Sequence, residues 1–272
     1  MKRLFILNVF ILLVLSTFTI AVSDSNPQKY KKNFEIPENA IEIMPGVFSL
    51  GKVKHNGKYV NGFAFVDYRK GYHHNPNHNG GPGGSGDASA CFAFLAKGAR
   101  WKTTEQYILD ASNGDGLSEQ FIIDSTEAGI EAWDSQVSFD IFGARNASGA
   151  VDGADLTNPD NKNELLFGDL NNPNAIAATI VWGIFSGPPS QRKLVEWDMI
   201  FNDAAFTFGD ASLSSSLMDY QNVFTHEIGH AAGMAHPSDA CTEETMFRFA
   251  EEGETKKRTL ESGDISGVTE LY

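Results

Sequence analysis

Cysteine is scarce in this chain and basic residues are few. The 272 residues include two cysteines, Cys91 and Cys241. Neither lies in the apolar N-terminal stretch, so lipid attachment at a leader cysteine is excluded. Lys and Arg number 21 against 35 Asp and Glu, a formal net charge of −14. So acidic a chain repels phosphate backbones and anionic lipid, which argues against nucleic acid or a charged membrane surface as partner. Histidine is absent from residues 79 to 225: His55, His73, His74 and His78 precede that gap, and His226, His230 and His236 follow it. Hydrophobic residues make up 42%, enough for one domain-sized core with a small addition.

Met1-Lys2-Arg3 leads into an uncharged run from Leu4 to Val22, closing on Ala21-Val22-Ser23 before Asp24. A charged start, an apolar middle and small residues where a signal peptidase reads make residues 1–23 a signal peptide and the chain a secreted, extracellular protein. The alternative is an uncleaved membrane anchor, because ~19 apolar residues just span a bilayer. Residues 24–70 read as a small N-terminal β unit, in which Asn56-Gly57 is the favoured two-residue turn of a hairpin between β-prone stretches. Residues 71–88 are too rich in Gly, Pro, Asn and His to bury a core and read as a linker. His73, His74 and His78 within it are metal donors by type, although a solvated low-complexity tract is the plainer reading.

The run from His226 to His236 reads His-Glu-Ile-Gly-His-Ala-Ala-Gly-Met-Ala-His. On a helix, His226 and His230 share one face about 6 Å apart along the axis, so a single ion takes both rings. Glu227 is rotated about 100° from His226, out of reach as a third ligand but placed to hold a water on the same ion. That is the position of a general base. Gly233 adopts positive φ without a Cβ penalty, which ends the helix and returns the chain so that His236 supplies a third nitrogen. The fourth coordination position is left for water. An ordinary amphipathic helix burying Val223, Ile228, Ala231 and Ala232 is the bland alternative, and the third His and the Gly at fixed spacing tell against it.

This pattern resembles the metzincin zinc peptidases, whose HExxHxxGxxH signature is followed by a methionine turn. Thr245-Met246-Phe247-Arg248 places such a Met ten residues after His236. By the resemblance, Met246 is a polarizable floor under the imidazoles and not a ligand. The run from Leu260 to Tyr272 resembles the last helix of the matrixin branch, with Ser262 or Asp264 as cap and Ile265, Val268, Leu271 and Tyr272 as apolar stripe. Over about residues 99–272 the chain is similar to matrixins, most of all to prokaryotic-type members. Three features depart from familiar patterns. Pro237 after the third His is closer to the serralysin branch. Arg248 stands where serralysins and astacins carry a zinc-ligating Tyr, so no tyrosine switch is expected. The second, structural zinc of animal matrixins needs His residues in the segment where this chain has none, so one zinc is expected.

The resemblance implies an α/β (α+β) fold: a metzincin-like catalytic domain at residues 89–272, with a twisted mixed sheet, an active-site helix and a C-terminal helix, beside the N-terminal β unit. It implies a zinc-dependent endopeptidase, a monomer, in which His226, His230 and His236 hold one Zn2+ and Glu227 is the general base toward a zinc-activated water. The strand at Ile176 to Trp182 is implied as the cleft edge, where a protein or peptide substrate docks as an extra strand. A gluzincin would instead take a third ligand from Glu251, Glu252 or Glu254. A non-enzymatic zinc-bearing adhesion or binding module would result if the β unit filled the cleft permanently.

Elsewhere the pattern predicts strands at Trp101 to Leu109, Val137 to Phe142, Glu164 to Phe167, Ile176 to Phe185 and Leu194 to Phe201. It predicts an amphipathic helix from Leu117 to Trp133, with Phe121, Ile122, Ile130 and Trp133 inward, and the active-site helix from near Tyr220. Asp152, Asp155, Asp160 and Asp169 lie in Gly/Asn/Pro-rich loops, the kind of oxygen donors that calcium takes, but no twelve-residue calcium loop is met and solvated acidic turns are the plainer reading. Cys91 and Cys241, in a chain bound for an oxidising compartment, are disulfide candidates. Alternatively Cys91 caps the zinc as the cysteine switch of animal matrixins does, although Ser89-Ala90-Cys91-Phe92-Ala93 lacks the Pro, Arg and Gly of that motif. Two free, buried thiols are the third reading.

Overall fold

The computed structural model describes residues 34–72 and 90–272. The signal segment at 1–23 and all but the first two residues of the 71–88 stretch lie outside the described residues. Among the described residues no helix is long and apolar enough to cross a membrane.

The first three strands are β1 (Ile41–Met44), β2 (Val47–His55) and β3 (Lys58–Arg69). Asn56 and Gly57 both take positive φ, 46° and 77°, and so form the tight turn between β2 and β3. After β4 (Ala93–Phe94) and β5 (Glu105–Leu109) comes helix α1 (Glu119–Asp134). The strands β6 (Phe142–Arg145), β7 (Glu164–Gly168), β8 (Ala175–Ile184) and β9 (Lys193–Asn202) follow. Short strands β10 (Phe208–Gly209) and β11 (Met218–Asp219) lead into α2 (Tyr220–Ala232). Last come β12 (Met234–Ala235), β13 (Phe249–Ala250) and helix α3 (Ser262–Leu271).

One mixed sheet runs β1-β2-β3-β8-β9-β7-β5-β6, with β13 paired to β3. From β6 to β9 the strands are parallel; β8 is antiparallel to β9, and β3 is antiparallel to β8. The N-terminal strands therefore continue the sheet of the following domain. They cover the edge that β8 would otherwise present.

Strand β8 is buried on both faces, and its near-continuous apolar run follows from that. Ala177 and Val181 join the core beneath α1 and α2, while Ala178, Ile180 and Trp182 join a second core on the opposite face. That second core is closed by Phe34, Leu50, Val60, Ala64, Val66 and Tyr68 from the N-terminal segment. The period of two along β3 thus turns Ala64, Val66 and Tyr68 to this core and leaves Phe65 and Asp67 on the helix side.

Three elements differ from the sequence pattern. The strand expected from Trp101 begins only at Glu105, because the Trp101 indole is a core plug whose Nε1 donates to Ala231 O at 2.8 Å. The strand expected at Val137 to Phe142 begins at Phe142. Asp134 explains the shift: its Oδ1 accepts from Ile141 N at 3.0 Å, bending the chain at the end of α1. In α1, Ile122 and Trp133 are fully buried and Phe121 and Ile130 partly so. In α3, Val268 and Leu271 face the core but Ile265 is 37% exposed. Asp264 accounts for that rotation, since its carboxylate is drawn inward to the backbone N–H groups of Thr245 (2.6 Å) and Met246 (3.1 Å).

Cys91 and Cys241 form a disulfide across 150 residues of sequence. In a loop of that length the link contributes on the order of 4 kcal/mol by restricting the unfolded chain. It ties the start of the domain to the segment just after His236. Peptide mapping of the native protein without reductant is expected to recover a Cys91–Cys241 linked pair; free-thiol labelling of both residues in the native protein is the opposite result.

Candidate metal centre

Helix α2 carries the first donors, and its ends are well fixed. Asp219 caps the N-terminus, its Oδ1 accepting from Asn222 N at 2.8 Å, and Gly233 closes the C-terminus at φ 105°. A Cβ at Gly233 would lie 2.7 Å from Ala99 O, so both the conformation and the space require glycine. Beyond this turn, His236 comes back toward the helix. The Nε2 atoms of His230 and His236 lie 3.1 Å apart, and those of His236 and His226 lie 3.3 Å apart.

The remaining ring nitrogens decide what this convergence means. His226 Nδ1 is 2.6 Å from Thr245 O, and His230 Nδ1 is 3.0 Å from Met234 O. A carbonyl only accepts, so each Nδ1 carries the proton and each Nε2 presents a lone pair to the centre. Burial, reinforced by the Lys257 charge, pushes His226 down to about 3, and burial also lowers His236. Neutral imidazoles with facing lone pairs cannot hydrogen-bond to one another. Donors around a tetrahedral ion with ~2.0–2.1 Å metal–nitrogen bonds stand about 3.3 Å apart. The rings fit a zinc-sized ion.

A fourth donor completes the set, from a residue that sequence reading passed over. Asp67 on β3 places Oδ1 at 2.9 Å from His236 Nε2 and 3.3 Å from His226 Nε2, and Oδ2 at 3.6 Å from His230 Nε2. Asp67 is 5% exposed, and neither of its oxygens has a hydrogen-bond donor. Phe65, two residues earlier on the same face, stacks on His230 with ring centroids 4.1 Å apart.

Glu227 is fully buried beside this cluster. Thr179 Oγ1 on β8 donates to Glu227 Oε2 at 2.5 Å, while Oε1 has no partner. Burial and the charge of Asp67 raise the Glu227 carboxyl well above its ordinary value. Met246 lies under the helix: a Cβ at Gly229 would fall 2.3 Å from its Sδ. The glycine inside the motif is thus what lets the methionine approach. Lys257, 1% exposed, donates to Phe247 O behind His226, and burial brings it down to about 8. Arg248 pairs with Asp239 at 2.5 Å.

Of the residues weighed as a third ligand of gluzincin type, Glu251 pairs with Lys70 at 2.7 Å and Glu252 lies 4.0 Å from Arg69, both at the surface. Glu254 acts on the Lys257 ammonium, and the donor cluster contains none of the three.

A second group of donors gathers Asp155, Glu196 and Asp198. Glu196 is 0% exposed and its Oε1 has no partner. Burial raises Glu196 to about 8 and pushes Asp198 well up, with the neighbouring carboxylates adding to both. Of the four aspartates that the loop composition offered as calcium donors, only Asp155 belongs here. Asp152 and Asp160 hold Lys162, and Asp169 Oδ1 closes a turn on Asn171 N at 2.8 Å.

Comparison with protein families matches residues 99–272 to the matrixin family, peptidase M10. The chain belongs to the matrixin family. A comparison with curated proteins returned no match. The matrixin domain thus contains the three histidines, Glu227, Met246 and the Asp155 cluster, whereas Asp67 comes from the segment before it. Replacing His236 by Ala is expected to lower zinc affinity by more than the ~10–100-fold that loss of an outer partner costs. Glu252→Gln leaves it unchanged. Metal titration of the purified matrixin distinguishes the two, and the reverse order would restore a glutamate ligand.

Proposed function

We propose that this matrixin is an exported zinc-dependent endopeptidase that cleaves extended segments of protein substrates. The observation that carries the reading is the convergence of three Nε2 atoms, those of His226 and His230 unprotonated, with the Glu227 carboxyl beside them. His226, His230 and His236 would hold the ion. When bound, zinc supplies Lewis-acid polarisation of a carbonyl and acidifies a water.

The chain's own groups do the rest. Glu227 Oε1, which has no partner, accepts the proton of the attacking water and returns it to the leaving amine. Its burial suits that task, because a carboxyl raised in pKa holds a proton long enough to pass it on. Thr179 Oγ1 fixes the other oxygen and so aims the pair. With β3 displaced, strand β8 would offer its backbone to an extended peptide lying antiparallel, with the scissile bond beside the ion. The Cys91–Cys241 link suits an oxidising compartment and so supports export.

One observation favours a second reading, that of a zinc-bearing module without activity: β3 already lies on β8 and Asp67 already fills the donor set. Hydrolysis of casein by the zinc-loaded protein, before and after limited proteolysis, decides between them. Glu227→Ala is expected to keep about one zinc per chain and to lose at least ~10³-fold in turnover, the upper range of acid–base catalysis. Near-normal turnover would remove Glu227 from the chemistry.

The Asp155, Glu196 and Asp198 cluster is proposed as a structural calcium site. Its donors are hard oxygens, and crowded, desolvated carboxylates with one unpaired oxygen gain most from a divalent cation. Calcium at ~100 times its Kd would stabilise the fold by about 2.7 kcal/mol, a Tm rise of several degrees by calorimetry. Glu196→Gln is expected to abolish that rise, and an undiminished rise in the variant would place calcium elsewhere.

A further inference from the structure

We propose that the cavity between the β2–β3 turn and the start of β9 binds a small sugar or cyclitol carrying phosphate or sulfate groups. The site is remote from the metal centre and independent of it. Lys58, on the cavity rim, precedes Asp67 by nine residues on β3, roughly 30 Å along the strand.

The cavity measures about 400 Å³, a volume typical of small-molecule sites. Four segments meet around it: the β2–β3 turn, the chain entering β5, the loop at Asn161 to Asn163, and the facing ends of β8 and β9. Their side chains tie the walls together. His55 Nε2 stands 2.8 Å from Asn161 Oδ1, Asn56 Nδ2 donates to the same oxygen at 3.1 Å, and Asn163 Nδ2 donates to Gln106 O at 2.9 Å. The cavity is therefore preformed.

Its charge runs against that of the chain. Acidic residues outnumber Lys and Arg by 35 to 21, yet Lys58, Lys102 and Lys193 converge here on a single carboxylate. That carboxylate, Glu105, already accepts from Thr103 Oγ1 at 2.6 Å. Among the described residues none of the three lysines makes an ion pair, whereas Lys70, Lys97, Lys162 and Lys256 each hold a carboxylate. Ammonium groups gathered without a counter-ion repel one another, and a bound anion relieves the repulsion. Burial and the Arg100 charge lower the pKa of Lys102, the direction expected where an anion is missing.

The donors define the chemical class. Lysine is a point charge with three rotatable donors and suits a tetrahedral phosphate or sulfate, while a planar carboxylate matches the guanidinium fork. No arginine lines the cavity. Asn161, whose Oδ1 is taken, keeps its Nδ2 for a hydroxyl, and Val60, Ile184 and Val195 offer apolar wall to ring carbons. A long polyanion would be repelled by the net charge of −14, so the ligand is one that fits inside the cavity.

Calorimetric titration of the full chain tests the site. The probes are inositol hexakisphosphate, inositol hexasulfate and uncharged inositol, which share one ring and differ in the oxyanion. At least one charged probe is expected to bind and inositol is not; the tighter one identifies the oxyanion. Lys102→Gln and Lys193→Gln are each expected to weaken that binding at least ~tenfold, the scale of one lost charge-assisted hydrogen bond. Lys102 is exposed, so its substitution leaves the fold intact. Lys54, also without an ion pair but not part of the lining, is the control, and Lys54→Gln is expected to change affinity less than ~twofold. No binding of either charged probe at millimolar concentration, or equal losses in the Lys54 and Lys102 variants, would overturn the proposal.

Discussion

The fourth donor of the metal centre depends on the antiparallel pairing of β3 with β8. That ladder carries Asp67, more than 150 residues before the histidines in sequence, to between 2.9 and 3.6 Å from their Nε2 atoms. The same ladder aligns Phe65 with His230 and Thr179 with Glu227. A slip of one residue would send Asp67 into the second core and an apolar neighbour to the ion. Two buried faces hold the register: Ala64, Val66 and Tyr68 pack with Ile180 and Trp182 on one side, and Phe65 packs on the imidazoles on the other. Gly62 contributes by absence, since a Cβ there would meet the Trp182 ring at 2.7 Å.

The legible part of the site is the part that lies close together in sequence. Helical spacing places His226, Glu227 and His230 without help from the rest of the fold, and Gly233 and His236 follow by local turn geometry. Asp67 was not legible, because an acidic residue in a β-prone stretch carries no sign of what its partner strand will bring beside it. Glu196 and Asp198 were hidden for the same reason. They flank Trp197 on a strand, and only the return of the loop through Asp155 shows why two carboxylates are buried there. The composition of the loops drew attention to Asp152, Asp160 and Asp169, whose actual partners are a lysine and a turn.

The departures in the fold share one cause, the capture of a local preference by a distant partner. Ile265 would face inward on apolar periodicity alone, but Asp264 is pulled to the backbone of the methionine turn and rotates α3. That carboxylate, with Gly229 above Met246, sets the floor of the site from below while Thr245 O and Met234 O orient the rings from behind. Orienting partners of this kind fix the tautomer and direction of the His226 and His230 imidazoles before any ion arrives. The sheet extension, the helix caps and the disulfide all serve the same end, a rigid set of donors around one point.

Anomalous diffraction at the zinc edge, from crystals of the full zinc-loaded chain, tests this account most directly. The account predicts one peak, bonded to Nε2 of His226, His230 and His236 and to a carboxylate oxygen of Asp67. A peak with water in place of Asp67 and β3 displaced from β8, or no peak between the three rings, would contradict it.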